Sequence, residues 1–154
     1  MDFDELWLLI GDWQHHNGKG QDLAIAAGLA MARAHLQAGY DVVAPQFALG
    51  QDFFEATDAI VAETSSACHE IVLTGHPERV AARFRQRRAE RTLAAESDVS
   101  TNIPDDRVDE VVARATEALT ALAAARPHTT VISTDGDVDS TYMRVREVLQ
   151  RRSG

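Results

Sequence analysis

Two aspartates stand two positions apart at the start of the chain, in Asp2-Phe3-Asp4. On an extended segment such residues share one face, so their carboxylates could hold a magnesium ion while one accepts a proton from a substrate hydroxyl. The alternative is helix capping, with Asp2 or Asp4 as the N-cap and Glu5 in the first turn. Taken alone, the spacing favours capping.

A second group of residues with chemical potential is a set of arginines between positions 79 and 91. Arg83, Arg87 and Arg91 recur every fourth residue, which places them along one face of a helix. Such a row can clamp a polyphosphate and stabilise charge on a phosphoryl group in transfer. The alternative is a solvated helix face that pairs with the acidic remainder of the chain. The whole set comprises Arg79, Arg83, Arg85, Arg87, Arg88 and Arg91.

A third group follows a predicted strand near the end of the chain. The run from Asp137 to Thr141 has the pattern of the nucleophile motif of haloacid-dehalogenase-like phosphatases. In those phosphatases the motif lies at the start of the fold and needs a lysine further along the chain. Here the run lies near the end of the sequence, and no lysine follows it. A turn with Asp139 or Ser140 as helix N-cap explains the run better.

A phosphate-binding loop of the G-x-x-x-x-G-K-[ST] type is absent from the sequence. Such a loop needs glycine amides around the phosphates, a lysine that reaches them and a hydroxyl for magnesium. Lys19 is the only lysine, Gly11 lies seven rather than five residues before Gly18, and Gly20 occupies the hydroxyl position. Residues 18–20 are therefore predicted to form a plain loop.

Composition narrows the classes of function. A formal net charge of −9 argues against a general nucleic-acid or anionic-membrane surface but leaves room for a small anionic ligand at a local basic cluster. The single cysteine, Cys68, excludes an internal disulfide and a multi-cysteine zinc site. His15 and His16 are adjacent, so on a helix they diverge by about 100° and form no metal pair. We expect a soluble cytoplasmic protein with one domain over residues 1–154.

The hydrophobic pattern predicts helices alternating with short strands. Helices are expected over 4–12, 21–37, 51–65, 77–95, 105–125 and 138–152, and strands over 41–47, 69–73 and 129–133. This alternation predicts an α/β fold with a parallel sheet covered on both faces and ligands at the carboxyl ends of the strands. The first helices have no strand before them, so the pattern corresponds to an α/β fold without its first βα unit.

The order of these motifs resembles small P-loop kinase-like ATP-binding proteins. These are the nucleoside, shikimate and chloramphenicol phosphotransferases, together with AAA-domain and zeta-toxin-like proteins. The resemblance covers essentially the whole chain. It rests on the segments DFDEL from Asp2, GYDVVAPQF from Gly39, EIVL from Glu70, RFRQR from Arg83 and GDVDSTY from Gly136.

The resemblance implies an ATP-dependent transfer to a small hydroxylated acceptor, with ATP and magnesium as cofactors. It assigns Asp2 to the magnesium-linked acid or general base, Asp4 to a substrate hydroxyl, Gln46 to the acceptor, and Arg83 and Arg87 to lid arginines that close on the phosphates. It places the nucleotide beside Gly136, Asp137 and Thr141.

The resemblance also implies a three-layer parallel sheet of the P-loop kinase type, here missing its first strand, its P-loop and the following helix. Phosphoryl transfer depends mostly on positioning and charge stabilisation, so little activity is expected from these residues alone. The chain is then expected to be the C-terminal majority of a kinase-like protein, with Met1 an internal methionine. The alternative is a non-catalytic binding or assembly module that forms a homo-oligomer by pairing its sheet with another chain.

Overall fold

A computed structural model describes residues 1–10, 19–46, 50–91 and 103–151, with the side chains of Lys19 and Arg91 excepted. The chain divides into two compact units, Met1–Cys68 and His69–Gly154. The regular elements described in the first unit are all helices, whereas the second unit combines helices with a small parallel sheet. Each unit is described separately below.

The first unit contains α1 (Phe3–Leu8), α2 (Lys19–Gln37) and α3 (Gln51–Thr64). Phe3 is buried where α1 packs on α2, together with Ala24 of α2. The Phe3 ring meets the Phe53 ring of α3 edge to face, with the centroids 5.6 Å apart. Burial of such large rings is the main source of stability in a small helical unit.

Two polar features fix the ends and the pairing of these helices. Gly39 has a φ of 81°, and the N–H of Tyr40 donates to the carbonyl of His35 at 3.0 Å, which closes α2 with the left-handed turn that glycine favours. Arg33 of α2 donates to Glu63 of α3 through Nε at 3.0 Å. The pair is largely exposed, so it orients the two helices more than it stabilises them.

The strand predicted over 41–47 is wrong. Residues 41–46 form no strand, and Phe47 lies outside the described residues. The Val43 side chain is 76% exposed, and Pro45 has no N–H to give to a ladder. This apolar run belongs to the irregular connection between α2 and α3.

The second unit contains β1 (Ile71–Thr74), α4 (Pro77–Arg91), a 3-10 turn (Asp105–Arg107), α5 (Val108–Ala125), β2 (Thr130–Ser133) and α6 (Val138–Arg151). The two strands pair in parallel, with Ile71 opposite Thr130 and Thr74 opposite Ser133. The connection through α4 and α5 supplies the crossover that parallel strands require. α5 contacts β1, and α6 contacts β2.

The core of this unit lies between α4 and α5. Ala81, Val108 and Val112 are buried there, and Phe84 packs against them. The sheet is covered only in part, because Val72 and Ile132 are buried whereas Leu73 is 50% and Val131 is 52% exposed.

A polar cluster joins the two strands at their amino ends. Glu70 accepts a hydrogen bond from Arg126 Nε at 2.7 Å and another from the Thr129 hydroxyl. The carbonyl of Glu70 accepts from the N–H of Thr130 at 2.9 Å. These bonds fix the register of the strands at the end opposite to the candidate site.

The predicted three-layer sheet of the P-loop kinase type is also wrong. The described residues contain one two-stranded sheet within a mostly helical chain. The strands predicted over 69–73 and 129–133 are present with shifted bounds, and the 41–47 strand is not. This small sheet is also not covered over its whole width on both faces, because Leu73 and Val131 are half-exposed.

Candidate functional site

The candidate site lies at the carboxyl ends of β1 and β2. Because the strands are parallel, the residues that follow them meet at one edge. The N–H and the hydroxyl of Thr134 both donate to the carbonyl of Thr74, at 2.6 and 2.9 Å. A Cβ at Gly75 would lie 2.9 Å from the Thr134 hydroxyl oxygen, so this close approach of the two loops needs glycine.

Asp135 connects the two loops through its carboxylate. One carboxylate oxygen accepts from the backbone N–H of His76 at 2.9 Å, and the other accepts from the Ser133 hydroxyl at 3.1 Å. The His76 hydrogen bond is the largest of the effects that lower the pKa of Asp135, and the Ser133 hydroxyl and the positive charge of Arg79 add to it. Asp135 is therefore a carboxylate held in its charged form at the end of the sheet.

Two arginines of α4 hold the loop that follows β2. Arg79 Nη1 donates to the carbonyl of Asp135 at 2.8 Å. Arg83 Nη2 donates to the carbonyl of Thr134 at 2.9 Å, and its Nη1 lies 3.4 Å from the Thr134 hydroxyl. Both guanidinium groups belong to exposed residues. Positions 79 and 83 are one helical turn apart, which puts both side chains over the same loop.

The other described arginines of α4 point to different neighbours. Arg85 pairs with Asp109 of α5 at 2.8 Å, and Arg88 pairs with Asp105 at 3.0 Å. The Arg87 guanidinium carbon lies 6.0 Å from the Phe84 ring centroid. The set thus divides into a pair over the β2 loop and a pair that ties α4 to the start of α5, while the side chain of Arg91 lies outside the described residues.

The residues predicted to lie beside the nucleotide form the start of α6. The Asp137 carboxylate accepts from the N–H of Ser140 at 2.7 Å, and the Thr141 hydroxyl donates to the Asp137 carbonyl at 3.1 Å. The Ser140 hydrogen bond is the largest of the effects that lower the pKa of Asp137. Asp137 is therefore the N-cap of α6, where Asp139 or Ser140 was predicted, and Gly136 joins this cap to the Asp135 loop.

The remaining predicted residues belong to the first unit. Asp2 is the N-cap of α1, and its carboxylate accepts from the N–H of Asp4 at 3.0 Å. Gln46 is half-buried in the connection between α2 and α3, and the Met1 ammonium group contacts the Val43 carbonyl in that same connection. Among the described residues, no group of three or more histidine, cysteine or acidic side chains could hold a metal ion. The Asp2 contact corresponds to the capping alternative.

The structure therefore brings one part of the predicted site together. Arg83 meets the loop that leads into Gly136 and Asp137, although 51 positions separate Arg83 from Thr134. Thr134, His76 and Asp135 were not singled out from the sequence, and Arg79 appeared only as one of the arginine set. The signal that could have found all four is position, since each lies no more than six residues beyond the carboxyl end of a predicted strand.

No family model, curated protein or solved structure matches this chain. None of the helices in the described ranges combines the length and the apolar character needed to cross a membrane.

Proposed function

We propose that the carboxyl ends of β1 and β2 bind the phosphate groups of a nucleotide, and that the chain contributes this site to an ATP-dependent phosphotransferase for a small hydroxylated acceptor. The observation that carries the proposal is the contact of Arg83 with Thr134. It joins an arginine that the resemblance assigns to the phosphates to the loop that the resemblance assigns to the nucleotide.

The chemistry of the arginines supports a phosphate as the ligand. A guanidinium presents several N–H donors in a planar fork that matches phosphate oxygens, and the contacts to Thr134 and Asp135 use only part of this donor set. Arg79 and Arg83 are held by the loop, so little side-chain freedom is lost when an anion binds.

The charge of Asp135 restricts where the phosphate can lie. The Asp135 carboxylate already accepts the N–H of His76 just before α4, and a phosphate beside it would meet like charge. We therefore expect the guanidinium groups, on the side away from Asp135, to make the contacts. The sequence holds no G-x-x-x-x-G-K-[ST] motif, so binding without appreciable transfer is expected from these residues alone.

Isothermal titration of the full chain with ATP, with and without Mg²⁺, tests the proposal. Arg83→Ala is expected to weaken ATP binding about tenfold or more, because a charge-assisted hydrogen bond contributes about 1.5–3 kcal/mol. Arg83→Lys keeps the charge but loses the planar fork of donors, so its affinity for ATP should lie between those of the wild type and Arg83→Ala. Arg114→Gln on α5 is the matched control, because it removes an equal charge from an exposed arginine whose Nη1 lies 4.0 Å from a carboxylate oxygen of Glu110. Equal ATP affinity in the wild type, Arg83→Ala and Arg114→Gln would reject the site.

A second candidate function is non-catalytic assembly, and the two-stranded sheet favours it. Each strand has one neighbour among the described residues, so both present an open edge, and Leu73 and Val131 are half-exposed. An open edge offers backbone groups for pairing with a second copy. This function predicts an oligomer that Leu73→Lys dissociates and a melting temperature that Mg-ATP does not change.

A further inference from the structure

The last helix, α6, has apolar side chains on two adjacent sides. Thr141 and Val148 are half-buried, which agrees with the contact between α6 and β2, and Val145 is half-buried at the boundary between this side and the next. Val138 and Tyr142, by contrast, are 83% and 58% exposed. α6 therefore presents a second apolar side next to the one that faces the sheet.

The spacing of this second side is that of a helix–helix seam. Val138, Tyr142, Val145 and Leu149 follow one another at intervals of four, three and four residues, which is the alternation of a heptad repeat. Leu149 continues the exposed side, with 43% of its surface accessible. The intervals read the same in both directions. An antiparallel pair of identical helices would therefore match Val138 with Leu149 of the partner subunit and Tyr142 with Val145 of the partner subunit.

We propose that α6 is the interface of a homodimer in which the two copies of this helix pack antiparallel through Val138, Tyr142, Val145 and Leu149. The proposal does not depend on nucleotide binding, and it uses a different surface from the open edges of the sheet.

The charges beside the seam are complementary for this arrangement. Asp139 and Arg146 are one heptad apart, and each follows a seam residue, so they flank the same side of the seam. Antiparallel packing brings Asp139 of one copy opposite Arg146 of the partner subunit, and the two-fold symmetry forms this pair twice. Parallel packing would place like charges at the same level. The Arg146 guanidinium carbon lies 5.8 Å from the Tyr142 ring centroid, which keeps this cation at the margin of the seam.

The expected dimer is weak. A helix of 14 residues is about 21 Å long, and two such helices bury less surface than a standard interface of about 1,600 Å². We expect a dissociation constant on the order of 10 μM.

Analytical ultracentrifugation of the full chain over a hundredfold range around this value tests the proposal. Tyr142→Asp is expected to weaken the dimer about tenfold or more, because it places a carboxylate in the seam. Met143→Asp is the matched control, because Met143 is the next residue, is 50% exposed and points away from the seam. Circular dichroism of both variants checks that the helices are retained.

A charge exchange tests the antiparallel arrangement and keeps the experiment decisive if Tyr142→Asp fails to fold. Asp139→Arg and Arg146→Asp are each expected to weaken the dimer, and the double exchange should restore it, because opposite charges then face each other again. A monomer at every concentration, equal effects of Tyr142→Asp and Met143→Asp, or no recovery in the double exchange would overturn the proposal. So would a dimer that Leu73→Lys dissociates and Tyr142→Asp does not, because that result assigns association to the sheet edge.

Discussion

Arg83 of α4 donates a hydrogen bond to the carbonyl of Thr134, 2.9 Å away, and so fastens the crossover helix to the loop after β2. Arg79 makes the same kind of contact one turn earlier, at 2.8 Å to the carbonyl of Asp135. These contacts have a structural consequence that is separate from any ligand, because they tie α4 to the loop that follows β2.

Replacement of Arg83 is expected to lower the stability of the second unit. Arg83→Ala should reduce the free energy of unfolding by about 1 kcal/mol, which is below the range of about 1.5–3 kcal/mol for charged hydrogen bonds because the group is exposed. Urea denaturation measures the change. Arg87→Ala is the control on the same helix, since Arg87 lies over the Phe84 ring and a smaller loss is expected. Equal losses would show that Arg83 contributes only as a helix residue.

Gly28 of α2 packs directly against the Phe3 ring. A Cβ at position 28 would lie 1.9 Å from a ring carbon of Phe3, so Gly28→Ala must displace a buried ring. We expect a loss of about 1–3 kcal/mol, although alanine is the better helix former. Thermal unfolding measures it, with Gly50→Ser as the control because a Cβ at position 50 meets nothing within 4 Å.

A double-mutant cycle separates steric conflict from helix propensity. Phe3→Leu removes part of the ring, so Gly28→Ala should cost less in that background than in the wild type. The same cost in both backgrounds would contradict the contact.

The sequence predicted most helices well because their apolar spacing is long and regular. α2, α3 and α6 begin and end within about two residues of the predicted bounds where they are described. The predictions over 69–73 and 129–133 also correspond to real strands. Two local predictions failed. The run over 41–47 has the apolar composition of a strand, but its described residues form none, and Lys19 and Gly20, predicted to lie in a plain loop, are the first residues of α2.

The candidate site was less predictable, because the decisive contacts are not local. Nothing in the spacing of Arg83 or Thr134 indicates that they meet, since the contact depends on the strand register and on the direction of α4. The Asp2 carboxylate is the opposite case. Both roles considered for it depend on local backbone geometry, and the structure supplies that geometry as a helix cap.

Capping by Asp2 predicts a different response to two substitutions. Asp2→Ala should reduce stability by about 1 kcal/mol, whereas Asp2→Asn should retain it, because asparagine caps a helix as well as aspartate does. A chemical role in magnesium binding would make Asn as damaging as Ala to any Mg²⁺-dependent shift in melting temperature. Melting curves of both variants with and without Mg²⁺ distinguish these outcomes.

Asp135 provides a prediction for the dependence of stability on pH. Its pKa is lowered in the folded chain, chiefly by the hydrogen bond from the His76 N–H, so the folded state binds the proton less readily than the unfolded state does. The stabilisation from this carboxylate is therefore complete above the ordinary aspartate pKa. It is lost as the pH falls from about 4 through the lower pKa of the folded state.

Asp135→Asn removes this titration and should make the chain less stable than the wild type at neutral pH, with the difference shrinking in acid. Urea denaturation from neutral pH downward measures it. The comparison must use the difference between the two proteins, because Asp109, Glu110 and Asp137 also have lowered pKa values and destabilise both in acid. Ser133→Ala deletes the hydroxyl that donates to the carboxylate and also accepts from the Asp135 N–H, so part of its effect should shrink in acid and part should not depend on pH. A difference between wild type and Asp135→Asn that stays constant down to the acid limit would mean that the charged form of Asp135 adds nothing to the closure of the two loops.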